Sequence, residues 1–186
     1  MKIFISGGSN SGKSSLAESL AQMMRKPSAP LYYVATMIPS DNEDEARIRR
    51  HQQARVGSGF ETIEAGTDIL GAIDKYDRGG TFLLDSVTAL LANEMFAPDG
   101  VINVDAYIKL AAELENLLCQ VGDIVIVSDS IYSDAAFYDS YTEKYRSGLA
   151  FVGKKMAIAC DVLIEACFGA YTLHKGSHML PNFGKL

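Results

Sequence analysis

The chain has 186 residues, of which 48% are hydrophobic and 22% charged, with a formal net charge of −6. The length predicts one domain, 1–186, able to bury its own core. The acidic balance argues against a broad nucleic-acid binder or a basic membrane patch and favours a small-molecule substrate. Because no apolar run reaches bilayer length and the N-terminus enters a strand at once, a cytoplasmic protein without leader or membrane span is expected.

In chain order, the apolar run Ile3-Phe4-Ile5 reads as a first strand, followed by a glycine loop and a helix with Leu16, Leu20 and Met23/Met24 at helical spacing. Residues 31–36, barely alternating, read as a second, buried strand after the Pro27 and Pro30 break. Ser40-Asp41-Asn42-Glu43 resembles a capping box and opens a helix to about Val56, acidic in its first turn and basic later, as the helix dipole prefers. A short strand at 60–64, a weak helix at 67–76 and the apolar strand 81–85 follow. A helix over 87–96, a Pro98-Asp99-Gly100 turn and an amphipathic helix over 105–119 come next. That helix carries its core stripe on Tyr107, Leu110, Ala111, Leu114 and Leu117/Leu118. Residues 124–127 are the most strand-like run in the chain. A loop over 128–139, a long helix over 141–160 and a last strand at 162–166 complete the pattern.

Alternating strands and helices predict an α/β fold, a mostly parallel sheet covered on both faces, with ligands at the carboxyl ends of its strands. The glycine loop, Asp85 and the loop after Val127 are then expected at one rim. Cys119, Cys160 and Cys167 lack paired or CxxC spacing and sit in apolar surroundings, so buried free thiols are expected. His174 and His178 are spaced i, i+4, but the segment is ill-suited to a helix and a metal pair is not expected.

Two stretches carry chemistry. Gly7, Gly8, Ser9, Asn10, Ser11, Gly12, Lys13 and Ser14, followed by Ser15, fit G-x-x-x-x-G-K-S/T between a strand and a helix. In that context backbone N–H groups cradle the phosphates of GTP or ATP and Lys13 reaches the β- and γ-phosphates. Ser14 and Asp85 are the candidate Mg²⁺ ligands, directly or through water. The second stretch places Arg47, His51 and Arg55 at i, i+4 and i+8 on one helical face. Neighbouring positive charge disfavours imidazolium, which leaves His51 available as a nucleophile between guanidinium groups able to grip a polyphosphate. Spacing alone leaves open a solvated basic face with an incidental histidine.

The order of these motifs resembles the bifunctional adenosylcobinamide kinase / adenosylcobinamide-phosphate guanylyltransferase family. The likeness runs over residues 1–96: GGxxSGKS, Leu31-Tyr32-Tyr33-Val34-Ala35-Thr36, Asp41-x-Glu43, the RIxxHxxxR element from Arg47 to Arg55, Thr62-x-Glu64, and Leu83-Leu84-Asp85-Ser86-Val87-Thr88 with Asn93. The resemblance implies a RecA-like P-loop NTPase fold, a homotrimer, and a cobalamin-biosynthetic enzyme acting on a corrinoid. A nucleoside triphosphate would phosphorylate the aminopropanol hydroxyl of adenosylcobinamide. A histidine, matching His51, would then attack the α-phosphate of GTP and pass GMP to the phosphorylated corrinoid. It further implies that Ala35, Thr36, Gln52, Gln53, Ala54, Arg55, Glu64 and Asp85 lie at the guanine nucleotide. The second half departs from the family pattern. Asp129-Ser130-Ile131-Tyr132-Ser133-Asp134 stands where an Asn-Glu-Val-Gly loop with a glycine and proline is usual, and Gly153-Lys154 stands at an Asn-Gln pair. That departure keeps two alternatives open, a monofunctional P-loop small-molecule kinase and a non-catalytic GTP-binding protein. The aromatic cluster of Tyr132, Phe137, Tyr138, Tyr141 and Tyr145 is read either as a pocket lining or as packing of this loop onto the sheet.

Overall fold

A computed structural model describes residues 1–39, 42–55, 57–97, 100–132, 136–181 and 183; the side chains of residues 43, 44, 47, 51 and 54 lie outside that description. Strands β1 (Lys2–Gly7), β2 (Leu31–Ala35), β3 (Glu61–Glu64), β4 (Thr81–Asp85), β5 (Asp123–Asp129) and β6 (Val162–Cys167) run parallel, and β7 (Ala170–Lys175) runs antiparallel to β6. Their order across the sheet is β3-β2-β4-β5-β1-β6-β7. The helices are α1 (Lys13–Met24), α2 (Asn42–Ala54), α3 (Ile69–Ile73), α4 (Val87–Met95), α5 (Ala106–Gln120) and α6 (Ser140–Ala159).

The strands read as unbroken apolar runs because both sheet faces are covered. Ile3, Ile5, Leu83, Val125 and Val127 pack with Leu16, Ala17 and Leu20 of α1 on one face. Their neighbours Phe4, Phe82, Leu84, Ile124 and Ile126 pack on the other face with Leu90 of α4, Leu110 and Leu114 of α5, and Leu149 and Val152 of α6. Successive side chains point to opposite faces, so every position in such a strand loses water, at about 1.5–3 kcal/mol for each large aliphatic side chain. Parallel pairing also brings Gly7 level with Asp129, and Asp85 level with both Ala35 and Val127. The carboxyl ends of four strands therefore meet at one rim.

Local chemistry sets the helix ends. The Ser86 side chain accepts from Ala89 N at 3.3 Å to cap α4, and Asp139 caps α6 by accepting from Tyr141 N at 2.9 Å and Thr142 N at 3.1 Å. The Thr142 hydroxyl, which also donates to Asp139, and then those backbone bonds hold the Asp139 carboxyl below its ordinary range. The capping box at Ser40 and Asp41, the α2 end at Val56 and the turn at Pro98 and Asp99 fall outside the described residues. Among the described residues, no helix is long and apolar enough to cross a membrane.

Several expectations are corrected. A strand follows β6: the chain turns back over Phe168-Gly169 into β7, which the half-polar run Ala170–Lys175 conceals because an edge strand exposes most of its side chains. Strand β5 extends through Ser128 to Asp129, so the loop begins two residues later than predicted. The weak helix at 67–76 shrinks to α3, Ile69–Ile73, started by Asp68 accepting from Gly71 N. Met23 is exposed, because the buried stripe of α1 at 13, 16, 17, 20 and 21 continues to the half-buried Met24 and passes 23 by. Of the three free cysteines only Cys160 is buried; Cys119 lies on the outer side of the last turn of α5 and Cys167 at the exposed end of β6.

Burial pushes the Cys160 thiol up to about 12, while Cys119 and Cys167 face solvent. Thiolate is the reactive form. A thiol-reactive chromogen at pH 8 is therefore expected to titrate two thiols rapidly in the folded protein and a third only in denaturant. Three fast thiols in the folded state would contradict the burial of Cys160.

Candidate functional site

The glycine loop is shaped by two close approaches. A Cβ on Gly7 would overlap the Ala166 carbonyl of β6, and one on Gly12 would lie 2.8 Å from the Tyr171 hydroxyl of β7. Gly12 also has φ +91°, a left-handed conformation that glycine adopts without penalty. It precedes α1 with no side-chain cap, which leaves the first N–H groups of the helix available to an anion. The hairpin beyond β6 braces this loop, since Gly169 N donates to Ser11 O at 3.2 Å and the Tyr171 hydroxyl to Gly12 O at 3.4 Å.

Lys13 is 6% exposed, and its ammonium donates to Gly8 O at 2.5 Å and pairs with Asp129 Oδ1 at 2.8 Å. Asp129 is steadied in turn by its backbone N–H, which donates to the Thr88 hydroxyl at 2.8 Å. A buried ammonium is tolerable only when paired in this way. A basin lined by residues 9–15 together with Asp85, Ser86, Val127 and Asp129 surrounds it.

A second pocket adjoins the basin. It is lined by Ser14, Tyr33, Ala35, Met37, Ile48, Gln52, Arg55, Glu64, Asp85, Ser86 and Ala89, so that Ser14, Asp85 and Ser86 belong to both. The Tyr33 hydroxyl donates to Asp85 Oδ2 at 2.9 Å. The Arg55 guanidinium lies 3.5 Å from the centre of the Tyr33 ring, a cation–π stack, and is 8% exposed. Arg55 Nη1 is buried with no hydrogen-bond partner among the described residues. Burial, reinforced by the Asp85 carboxylate, pushes the Tyr33 hydroxyl far above its ordinary range, so it remains a donor. Glu18 of α1 completes the charge cluster; partial burial raises its carboxyl, Arg55 opposes that and Asp85 adds to it.

Ala35, Gln52, Arg55, Glu64 and Asp85, expected at the nucleotide, thus line one pocket with Ser14, and Ser9 to Ser15 line the adjoining basin. Gly7 and Gly8 are not in the lining of either cavity; Gly8 O accepts from Lys13. Thr36 stands behind the pocket wall instead of on it. It is fully buried, and its hydroxyl accepts from Ser86 N at 2.6 Å and donates to Ser86 O at 2.8 Å. Gln53 is exposed on α2, outside the lining. The side chains of Arg47, His51 and Ala54 lie outside the described residues, as do Ser133 and Asp134. Asn93 is a bracket, donating to Thr36 O at 2.7 Å and Gly66 O at 2.8 Å and so tying the ends of β2 and β3 to α4. Of the aromatic cluster, only Tyr145 packs inward, its hydroxyl donating to Thr88 O at 2.8 Å; Tyr132, Phe137, Tyr138 and Tyr141 are exposed. His174 Nε2 sits 2.9 Å from Glu165 across the hairpin.

Sequence reasoning misses Tyr33, Glu18, Ile48, Met37 and the Lys13 partner Asp129 as site residues. Tyr33 reads as core inside a buried strand; the available signal is that it precedes Ala35 by two and so shares its sheet face. Asp129 is visible as a carboxylate two residues past the strand at 124–127, but only the register of β1 and β5 brings it to Lys13.

A family model described as cobinamide kinase / cobinamide phosphate guanyltransferase matches residues 3–172. The chain is 26% identical over 166 residues to the bifunctional adenosylcobalamin biosynthesis protein CobP of Pseudomonas aeruginosa, covering 87% of this chain and 90% of that protein. It is 27% identical over 172 residues to the bifunctional adenosylcobalamin biosynthesis protein CobU of Escherichia coli strain K12, covering 87% and 92%. Among solved structures, the flagellar accessory protein FlaH of Methanocaldococcus jannaschii superposes with a TM-score of 0.52 at 16% identity, over 94% of this chain and 77% of that one. This likeness concerns the fold, which is the RecA-like P-loop arrangement: one strand, β5, separates the P-loop strand β1 from the Asp85 strand β4.

The unsatisfied Arg55 Nη1 donor makes a prediction. Arg55→Met keeps an apolar stem against Tyr33 and removes a buried, half-satisfied cation. Thermal melts are expected to show a gain in stability of about 1 kcal/mol, while calorimetry shows nucleotide affinity falling at least tenfold. A variant that loses stability and keeps its affinity would mean that Arg55 is structural.

Proposed function

The chain belongs to the cobinamide kinase / cobinamide phosphate guanyltransferase family, and from that premise we propose how its residues divide the two reactions. The first is phosphorylation of the hydroxyl of adenosylcobinamide by a nucleoside triphosphate. The second is transfer of GMP from GTP to the resulting phosphate. The observation that carries the division is the pair of adjoining cavities sharing Ser14, Asp85 and Ser86.

In the kinase step, N–H groups of the loop and of the first turn of α1 receive the β- and γ-phosphates, and Lys13 exchanges Asp129 for phosphate oxygens. The corrinoid hydroxyl oxygen attacks the γ-phosphorus, the bond to the β-bridging oxygen breaks and the hydroxyl proton passes to solvent water. Lys13 neutralises charge on the departing diphosphate. Ser14 and Asp85 present hard oxygen donors at the junction of the cavities and would hold Mg²⁺, which binds through few carboxylates plus phosphate oxygens. When bound, Mg²⁺ neutralises phosphate charge and aligns the γ-phosphoryl group.

In the guanylyl step, His51 of the RIxxHxxxR element is the nucleophile. Its neutral imidazole nitrogen attacks the α-phosphorus of GTP, forming an N–P bond as the bond to the β-phosphate breaks and pyrophosphate leaves. A phosphate oxygen of the corrinoid then attacks the same phosphorus and frees the imidazole. Ile48 and Arg55, which line the second pocket with Gln52, stand three residues before and four residues after position 51. Arg55 offers its unpaired Nη1 to charge developing on the α-phosphate, and Glu64 offers a carboxylate acceptor to guanine N–H groups. By family resemblance the enzyme works in the cytoplasm as a homotrimer.

Incubation with GTP labelled at the α-phosphate should leave acid-labile label on the protein, and His51→Ala should abolish that label while leaving GTP bound. Lys13→Ala should separately lower phosphorylation of adenosylcobinamide by at least a hundredfold. Unlabelled wild-type protein that still phosphorylates the corrinoid would reduce the function to a kinase; tight GTP binding with neither activity would leave a nucleotide-binding protein.

A further inference from the structure

The turn that braces the phosphate loop contains a residue its own geometry disfavours. Strands β6 and β7 pair Cys167 with Ala170, leaving the two-residue loop Phe168-Gly169. Both residues have positive φ, 48° and 81°, as a type I′ hairpin turn requires. Asn, Asp or Gly is the usual first residue of such a turn, because a bulky side chain there is strained. Here the position holds phenylalanine, and the residue is 99% exposed. Packing within the chain therefore gives no return for the strain, and an observed outlier of this kind points to function.

The location supplies the function. The N–H of Gly169, the next residue, donates to Ser11 O inside the phosphate loop, and Tyr171 reaches Gly12 O. Phe168 thus projects from a turn fastened to the loop that receives phosphates. It lies on the β6–β7 side of β1, whereas the pocket lined by Tyr33, Gln52 and Arg55 lies on the β2–β4 side.

We propose that Phe168 is the stacking platform for the nucleobase of the triphosphate bound for the kinase step. This rests on the reading of the glycine loop as the phosphoryl-donor site. The protein then has two base seats on opposite sides of one phosphate cradle: Phe168 for the phosphoryl donor, and the Arg55 pocket for the guanylyl group. Every base presents a π face to an aromatic ring, so the donor seat discriminates little between ATP and GTP. The guanylyl seat, with a carboxylate and an amide at hand, is the selective one.

The turn supplies the test. Phe168→Asn replaces the strained residue with one the turn prefers, so its melting temperature should hold or rise. In the phosphorylation assay it should raise the KM for ATP and for GTP about tenfold with kcat little changed. Inhibition by inorganic tripolyphosphate, which has no base, and α-label incorporation from GTP should both stay at wild-type levels. An unchanged donor KM would overturn the proposal, as would a parallel loss of tripolyphosphate inhibition or of labelling. The chain contains no tryptophan, so Phe168→Trp places a single indole at the proposed seat. Its fluorescence should be quenched by ATP and not by tripolyphosphate; equal responses to both, or none to saturating ATP, would sink the stacking. This arm needs no turnover, so it separates failure of the base seat from failure of the two-activity reading, which would show as wild-type protein without phosphorylation or label. Lys13→Ala, which should abolish the ATP response, identifies the phosphate loop as the anchor.

Discussion

Lys13 is a cation held almost entirely out of water, and much of the architecture follows from keeping it there. An ammonium so placed would neutralise or pull its surroundings apart unless paired. Asp129 pairs it, and Asp129 stands opposite Gly7 because β5 is hydrogen-bonded beside β1 in parallel register. The same register puts Asp85 of β4 level with Val127, one strand further out. Two carboxylates thereby flank the basin proposed to receive the phosphates, an arrangement that disfavours a bare polyphosphate and favours one whose charge is shared with a cation. Moving Lys13 from Asp129 to a phosphate exchanges one ion pair for another, so the site holds its lysine in place before a ligand arrives.

The second pocket is linked to the first through one side chain. Tyr33 donates to Asp85 through its hydroxyl and supports Arg55 on its ring, so a single residue of β2 positions both the acid at the phosphate basin and the cation of the neighbouring pocket. Arg55 lies just past the end of α2, in a turn closed by Ser58 N donating to its carbonyl at 3.0 Å. A guanidinium buried with a vacant donor is a stability cost carried where a ligand would collect it. Asn93 and Thr36 act behind the wall, fixing the backbone ends of β2 and β3 against α4 and Ser86. They touch neither cavity, and their contribution is rigidity.

The β6–β7 hairpin extends the same logic to the other side of β1. A parallel sheet would end at β6 with an open edge; the antiparallel return covers it, and its turn is tied to the phosphate loop at Ser11 and Gly12. Gly12 therefore answers to two constraints, its own left-handed backbone and the Tyr171 hydroxyl pressed against it. A motif usually discussed through its phosphate contacts is here also a packing junction between three strands.

Legibility in the sequence divides along physical lines. Local rules sufficed for the strand–loop–helix order, the apolar strands, the helix stripes and the glycine loop, because periodicity and backbone demands are written in adjacent residues. Asp85 was legible as a carboxylate closing an apolar strand and Arg55 by its spacing, whereas Ala35, Gln52 and Glu64 were singled out only by the family resemblance; all five line one pocket. Strand β7 was hidden because an edge strand lacks the apolar run of a covered one, and Cys119 and Cys167 lie outside the core because burial depends on which neighbours arrive, not on flanking composition. The partnership of Lys13 with Asp129, the stack of Arg55 on Tyr33 and the meeting of two cavities at Ser14 and Asp85 join residues 22 to 116 positions apart. The first and third follow from the strand order β4-β5-β1 and the second from the β2–α2–β3 crossover, none of which a local pattern encodes. The sequence by itself marked this loop as the phosphate-loop motif between a strand and a helix; only the tertiary structure decided which residues stand across from it, because strand order and register, rather than spacing along the chain, place them there.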